Sequence, residues 1–296
     1  MASVVGVSLD GSRGSLSRAV PPEAWFVVGT IFHYLGPSFA VLLFASVDVL
    51  GVAWLRIASA AIVFAAWRRP WRTIAALDRD VRRSVVAWGV VLALMNCVFY
   101  LAIARLPLGT VAAIEFVPII LLAAVGSRTT RNLIALGSAL IGVYLLTDVV
   151  LAGDPLGVAF AFANAGLFAA YIILGHRVAQ HGAAAGIDSL GLAMLVAAVA
   201  VTPVAGGAAL PALAQPLAIA AGIGVGISSS VVPYVADQLA MARIRRSTYA
   251  LLVSLLPATA AVIGLVVLGQ VPSVPEIAGV GAVILAVAVH RDAEAR

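Results

Sequence analysis

The chain of 296 residues is 63% hydrophobic and 10% charged, with a formal net charge of +5. Soluble domains carry about 25% charged residues, so this composition and a mean hydropathy of +1.11 exclude a water-soluble globule. All 18 basic residues are arginine, which excludes a Walker A phosphate loop and a Schiff-base lysine on this chain.

Residues 1–22 are polar and rich in Gly and Ser, with Arg13 and Arg18, and read as a disordered cytoplasmic tail. The apolar segment after them is full span length and is no secretory signal. Ten candidate spans follow, at roughly 24–44, 49–67, 84–104, 108–126, 132–147, 155–175, 187–205, 216–240, 248–268 and 274–290. Each approaches the roughly 20 residues that cross a hydrocarbon core, and lipid offers backbone groups no partner, so all are predicted helices. A β-barrel would need alternating polarity, which these runs lack.

Arginine placement orients the chain. With the amino terminus inside, 16 arginines fall in inner segments, Arg105 alone falls outside, and Arg56 lies within a span. This positive-inside bias puts both termini in the cytoplasm, in a bacterial inner membrane. It also accounts for a pI near 10.0 without a nucleic-acid partner. The stretch from Arg68 to Arg83, with Trp67 and Trp71, reads as an amphipathic helix on the inner leaflet. The lone cysteine, Cys97, lies within a span, forms no intramolecular disulfide and reads as a small packing residue.

The most informative stretch is Arg105-Leu-Pro-Leu-Gly109 leading to Glu115-Phe-Val-Pro118. A short polar turn opens an apolar helix that carries a carboxylate two turns in. An acid facing hydrocarbon costs roughly 2.5 to 3.5 kcal/mol on insertion scales, so Glu115 is expected to face a protein interior or a wet chamber. Arg56, Asn96, Tyr100 and Asn164 come to similar depth on other spans. Convergent polar groups in an apolar bundle are what a small-molecule site requires. Glu115 would hold a substrate ammonium when ionised and release it when protonated; Arg56 would fork onto a carboxylate. Against this stands direct neutralisation of Glu115 by Arg56, since buried membrane charges usually pair.

Other residues stay open in the same way. His33 is a proton carrier, because imidazole titrates near neutral pH, or a packing residue. Asp237 and Arg243 form an interfacial latch or gate, or Asp237 meets substrate. Tyr171 and Tyr234 line the cavity or belong to the interfacial belt. Ser228, Ser229 and Ser230 would bond back to the helix near Pro233 and let it bend. Pro37, Pro118, Pro233 and Pro257 inside spans predict broken or kinked helices. Gly222-x-x-x-Gly226, Ser138-x-x-x-Gly142 and Ala278-x-x-x-Ala282 mark helix contacts.

The halves resemble each other: Ala104-Arg105 with Gly109-Thr110-Val-Ala112 parallels Ala242-Arg243 with Ser247-Thr248-Tyr-Ala250. Five spans per half is odd, so the second copy, 155–290, enters the membrane opposite to the first, 23–147.

Several stretches then resemble the EamA-like branch of the drug/metabolite transporter superfamily, and within it the bacterial threonine/homoserine exporters. They are Gly36-Pro-Ser-Phe-Ala-Val-Leu-Leu-Phe44, Leu55-Arg56-Ile57, Arg105-Leu-Pro-Leu-Gly109 with Ile114-Glu115-Phe116, and Phe168-Ala-Ala-Tyr171 through Arg177. Pro233-Tyr234 with Asp237, Ala240 and Arg243, and Ser254 with Pro257-Ala258, complete the set. The resemblance implies an all-α fold of ten helices in two inverted five-helix repeats, a central cavity and alternating access. It also brings Ser254 among the candidate substrate contacts. The chain departs from the family where Pro118 comes one residue early after Glu-Phe, where Asp237 replaces a common Glu, and where Leu256 replaces a Glu before Pro257.

The expected function is a secondary exporter of small amino acids or related metabolites, coupled to protons through Glu115. An exporter of another metabolite or a drug is the alternative. An intramembrane enzyme is a distant one, because His-Glu-x-x-His, Gly-x-Gly-Asp and Gly-x-Ser-Gly are all absent. No cofactor, metal or nucleic acid is expected; the partners are a small substrate, protons and the bilayer, with self-association open.

Overall fold

Helices start and stop where side chains or prolines settle the orphaned backbone ends. The computed structural model describes residues 21–74, 77–118, 129–151, 154–179, 183–241 and 256–289. Its helices are α1 (Pro22–Leu43), α2 (Val49–Arg68), α3 (Trp71–Ile74), α4 (Arg79–Ile103), α5 (Leu108–Glu115) and α6 (Thr130–Leu151). They continue as α7 (Pro155–Ala179), α8 (Ala183–Leu213), α9 (Pro216–Gly226), α10 (Val232–Met241), α11 (Leu256–Leu268) and α12 (Val274–Val289). Prolines open α1, α7 and α9, where a missing N–H costs nothing. Asp48 caps α2 by accepting from the Leu50 N–H at 2.8 Å. Among the described residues six stretches are long and apolar enough to cross a membrane, and Leu133–Gly142, Leu256–Leu268 and Val274–Ala286 are shorter apolar helices. The chain is an all-α, multi-span membrane protein.

Several expectations are refined. The segment from Arg68 to Arg83 is no continuous helix: Arg69 takes a left-handed φ of 50°, α3 is a single turn, and α4 begins at Arg79. Charge repulsion among closely spaced arginines and Pro70 argue against one helix there. Trp67 and Trp71 remain exposed, as headgroup-level residues would be. Pro37 does not break α1, nor do Pro203 and Pro211 break α8. The fourth span does break: α5 ends at Glu115, and the Phe116 N–H bonds the Ala113 carbonyl at 3.3 Å. Pro118 has no N–H for the Ile114 carbonyl, so the α-ladder loses a rung at that turn. The eighth span is interrupted by a π-turn, Ile227–Val231, between α9 and α10.

The packing partners follow a pattern. Helices α2 and α8, α5 and α11, and α6 and α12 pair directly. Helix α4 lies on α7 as α1 lies on α10; α4 packs on α8 as α9 packs on α2; α5 touches α7 as α11 touches α1. The main core, with Tyr34, Phe64, Leu92, Tyr100 and Met194 fully buried, gathers where α1, α2, α4, α7 and α8 meet. Helices α6 and α12 stand beside it, joined where Gly142 meets the Gly279 backbone. A Cβ at Gly142 would lie 2.8 Å from the Gly279 carbonyl oxygen, so only glycine allows that approach.

Candidate functional site

Two buried charges of opposite sign sit in this core, and each has found a partner other than the other. Glu115, 5% exposed at the end of α5, accepts a hydrogen bond from Asn164 Nδ2 on α7 at 3.0 Å. Arg56, 4% exposed on α2, donates through Nε to Ser230 Oγ at 3.0 Å and through Nη2 to the Ser229 carbonyl at 3.1 Å. Its guanidinium stands over the Tyr100 ring, 5.4 Å from the centroid. The ion pairs among the described residues are Arg68–Asp188, Arg83–Asp80 and Arg105–Asp154, so Arg56 and Glu115 are not within 4.0 Å of each other. The two side chains form no direct ion pair, although the Arg56 charge still acts on Glu115 at longer range.

Further buried polar atoms surround these charges. The Asn164 Oδ1, Tyr100 hydroxyl and Ser229 Oγ are buried and complete no hydrogen bond of regular geometry, although Tyr100 lies within the field of Arg56 and near Ser229. Their chemistry is sorted by sign. Glu115 and the Asn164 Oδ1 offer acceptors, Arg56 offers donors, and the Tyr100 and Ser229 hydroxyls can act as either. Such an arrangement offers an ammonium one end and a carboxylate the other.

Arg56 is where it is because of the break in the eighth span. In an α-helix the Ser229 carbonyl would accept from residue 233, but that residue is proline and has no N–H. The guanidinium supplies the missing donor from a neighbouring helix. Two glycines make the approach possible. A Cβ at Gly226 would lie 2.7 Å from the Arg56 carbonyl oxygen, and one at Gly36 would lie 2.6 Å from the Ser229 nitrogen.

That crowding gives a stability prediction. Gly36→Ala should lower stability by about 1 to 3 kcal/mol, the usual cost of overpacking a tight contact. Gly207→Ala, where an added Cβ meets nothing within 4 Å, should not. Thermal unfolding of the two variants in detergent compares them; equal midpoints would show that α1 does not press on the π-turn.

Beside the charged pair runs a row of rings. Phe116 and Phe168 lie 6.1 Å apart, Phe168 and Tyr171 6.3 Å, Tyr171 and Tyr234 6.2 Å, and Tyr234 and His33 6.5 Å. Trp88 joins at 5.5 Å from Tyr171. Tyr234 is 6% exposed, and Tyr171 stacks on it while remaining half-buried. His33 belongs to this row and has an edge contact with Tyr34.

The start of α5 is held by several groups. The Leu108 N–H donates to Gln270 Oε1 at 3.0 Å, Thr110 Oγ1 bonds Glu276 Oε1 at 3.4 Å, and Arg105 meets Asp154 at 3.2 Å. Ser273 and Glu276 cap α12 reciprocally, the Ser273 N–H and Oγ each donating to Glu276 Oε2 at 2.8 Å. The Gly157 N–H, with Arg105 adding, holds the Asp154 carboxyl below the usual carboxylate range. A depressed carboxyl stabilises the fold above its unfolded value, so this contact is present at neutral pH and lost only on acidification.

The structure therefore joins Glu115 to Asn164, Arg56 to Tyr100, His33 to Tyr234, and Tyr234 to Tyr171. Asn96 is buried, but its amide donates to the Leu92 carbonyl of its own helix at 2.8 Å and bonds neither charge. Asp237 lies on α10, and its side chain, with Arg243 and Ser254, falls outside the described residues. Of the three serines expected to bond back to their helix, Ser228 does so, to the Gly224 carbonyl at 2.7 Å, whereas Ser229 and Ser230 meet Arg56 instead; the contacts of Phe168 and Gln270 were not expected. For Ser229 a signal existed: a proline four residues on. Among the described residues no cluster of His, Cys, Asp and Glu could hold a metal ion.

No family model matches the chain. Over 255 residues it is 32% identical to the threonine/homoserine exporter RhtA of Escherichia coli (strain K12), a match covering 85% of this chain and 84% of that protein. It is 31% identical over the same length to the protein of that name from Salmonella typhimurium (strain LT2). A crystal structure at 16% identity superposes with a TM-score of 0.56 over 90% of this chain and 96% of the other, a likeness of fold alone.

Proposed function

We propose that this chain, which belongs to the threonine/homoserine exporter family of the EamA-like drug/metabolite transporters, exports small zwitterionic amino acids through the Arg56–Glu115 layer. It is a membrane transporter and not an enzyme. The observation that carries the reading is the separation of two buried, opposite charges, each held by neutral groups. A substrate bearing both an ammonium and a carboxylate satisfies Glu115 with Asn164 at one end and Arg56 with Tyr100 at the other. The energy that keeps two unpaired charges in a low-dielectric bundle is recovered when such a solute enters.

The finer mechanism is alternating access driven by proton exchange. Glu115 carries a proton in one direction and the substrate ammonium in the other, each displacing its rival. Two inverted five-helix repeats, 23–147 and 155–290, would supply the two access states; the exchange of packing partners between halves supports this. The arginine bias supports cytoplasmic termini in an inner membrane.

An exporter of uncharged drugs would need an aromatic cavity without fixed charge, and Arg56 and Glu115 weigh against that. Counterflow in proteoliposomes tests the proposal. Labelled L-threonine or L-homoserine should exchange at least about 10-fold faster than in protein-free vesicles, the equivalent of 1.4 kcal/mol. Unlabelled threonine should compete, whereas threonine methyl ester and N-acetylthreonine, each lacking one charge, should not. Equal competition by all three would remove the two-ended site.

A further inference from the structure

We infer that Arg56 is a positioning residue that couples substrate to the shape of the eighth span, exchanging the Ser229 carbonyl for the substrate carboxylate. The inference rests on the amino-acid reading above and deepens it.

The starting point is a vacancy in the backbone ladder. Proline at 233 removes the α-helical donor to Ser229, and the chain there takes a π-turn in which the Val232 N–H bonds the Ile227 carbonyl. Short π-turns at such positions often mark functional sites. Arg56 repairs the vacancy from outside, with Nη2 on the Ser229 carbonyl and Nε on Ser230 Oγ. The same guanidinium is the cation a substrate carboxylate would seek.

Competition follows from strength. A charge-assisted, forked bond to a carboxylate is about twice as strong as a bond to a neutral carbonyl or hydroxyl. An arriving carboxylate therefore draws Arg56 off the π-turn, and the Ser229 carbonyl loses its external donor. The turn is boxed by Gly36 on α1 and Gly226 against α2, so it has little room to relax in place. Relief comes from swinging α10 against α9, and α10 packs on α1 beside His33 and Tyr234. Occupancy of the site thereby reaches the ring row, and an empty carrier keeps the span pinned.

Pro233→Ala separates the two roles of Arg56. Alanine restores an N–H at 233, which can serve the Ser229 carbonyl and releases Arg56 Nη2 from it, while Nε keeps its bond to Ser230 Oγ. In detergent the variant should bind L-threonine about 3- to 10-fold tighter than wild type, yet exchange it at least about 10-fold more slowly in proteoliposomes. Hydrogen exchange over Ile227–Val232 without substrate should slow at least 5-fold, about one kcal/mol of added protection. Ser230→Ala, which removes one anchor only, should also tighten binding, with a smaller loss of exchange rate.

Tighter binding with slower exchange is the signature of the coupling. Wild-type threonine binding together with unchanged affinity and rate in Pro233→Ala overturns the inference and leaves the amino-acid reading intact. No threonine binding by wild type, with slowed hydrogen exchange in Pro233→Ala, removes the reading and keeps the pinned turn.

Discussion

Glu115→Gln is expected to reduce threonine counterflow by roughly 10- to 100-fold and to remove its dependence on pH. Glutamine keeps the size of the side chain and an acceptor for Asn164 Nδ2, which bonds Glu115 at 3.0 Å in the wild type. Folding is therefore preserved, and the loss falls on charge. A hydrogen bond to a charged group contributes about 1.5 to 3 kcal/mol, against about 1 for a neutral one. A substrate ammonium meeting an amide loses most of that difference. The amide also neither takes nor gives a proton near neutral pH, so an imposed pH gradient should no longer drive exchange. Counterflow measured at pH 6 and pH 8, with and without a gradient, reads both effects. Exchange at the wild-type rate with wild-type pH dependence would end the coupling role of Glu115.

Arg56→Lys should be nearly as damaging, although it preserves the charge. The wild-type guanidinium spans Ser230 Oγ and the Ser229 carbonyl with two nitrogens while lying over Tyr100. A lysine ammonium is a compact point donor without that planar fork. It would satisfy the π-turn or the substrate, not hand one to the other. Losing one charge-assisted bond costs about 1.5 to 3 kcal/mol, or a roughly 10- to 100-fold drop in exchange. Threonine binding by thermal shift and counterflow should fall together, in contrast to Pro233→Ala, where they move apart. Retained exchange would mean that a positive charge suffices and the fork is immaterial.

Much of this was legible in the chain itself. Embedded charges stand out against 63% hydrophobic composition, so Glu115 and Arg56 were visible as soon as the spans were drawn. Asn164 and Tyr100 were found through depth alone, because helical rise converts residue number into distance from the membrane surface. Asn96 met the same test, and in the fold its amide turns back to Leu92. Depth says nothing about which way a side chain faces. The Arg68 to Arg83 segment misled for a related reason: charge and aromatic content suggested amphipathicity, but Pro70 and the left-handed Arg69 break it.

The residues alone settled the class of molecule, the spacing of its spans and the presence of charged groups in the membrane. These depend on local hydropathy and on the high cost of burying charge in lipid. Partner choice was decided only in three dimensions. Arg56 reaches a carbonyl 173 residues away, and it does so because glycines let α1, α2 and the π-turn crowd together. No sequence period encodes a contact made by three helices meeting at one turn.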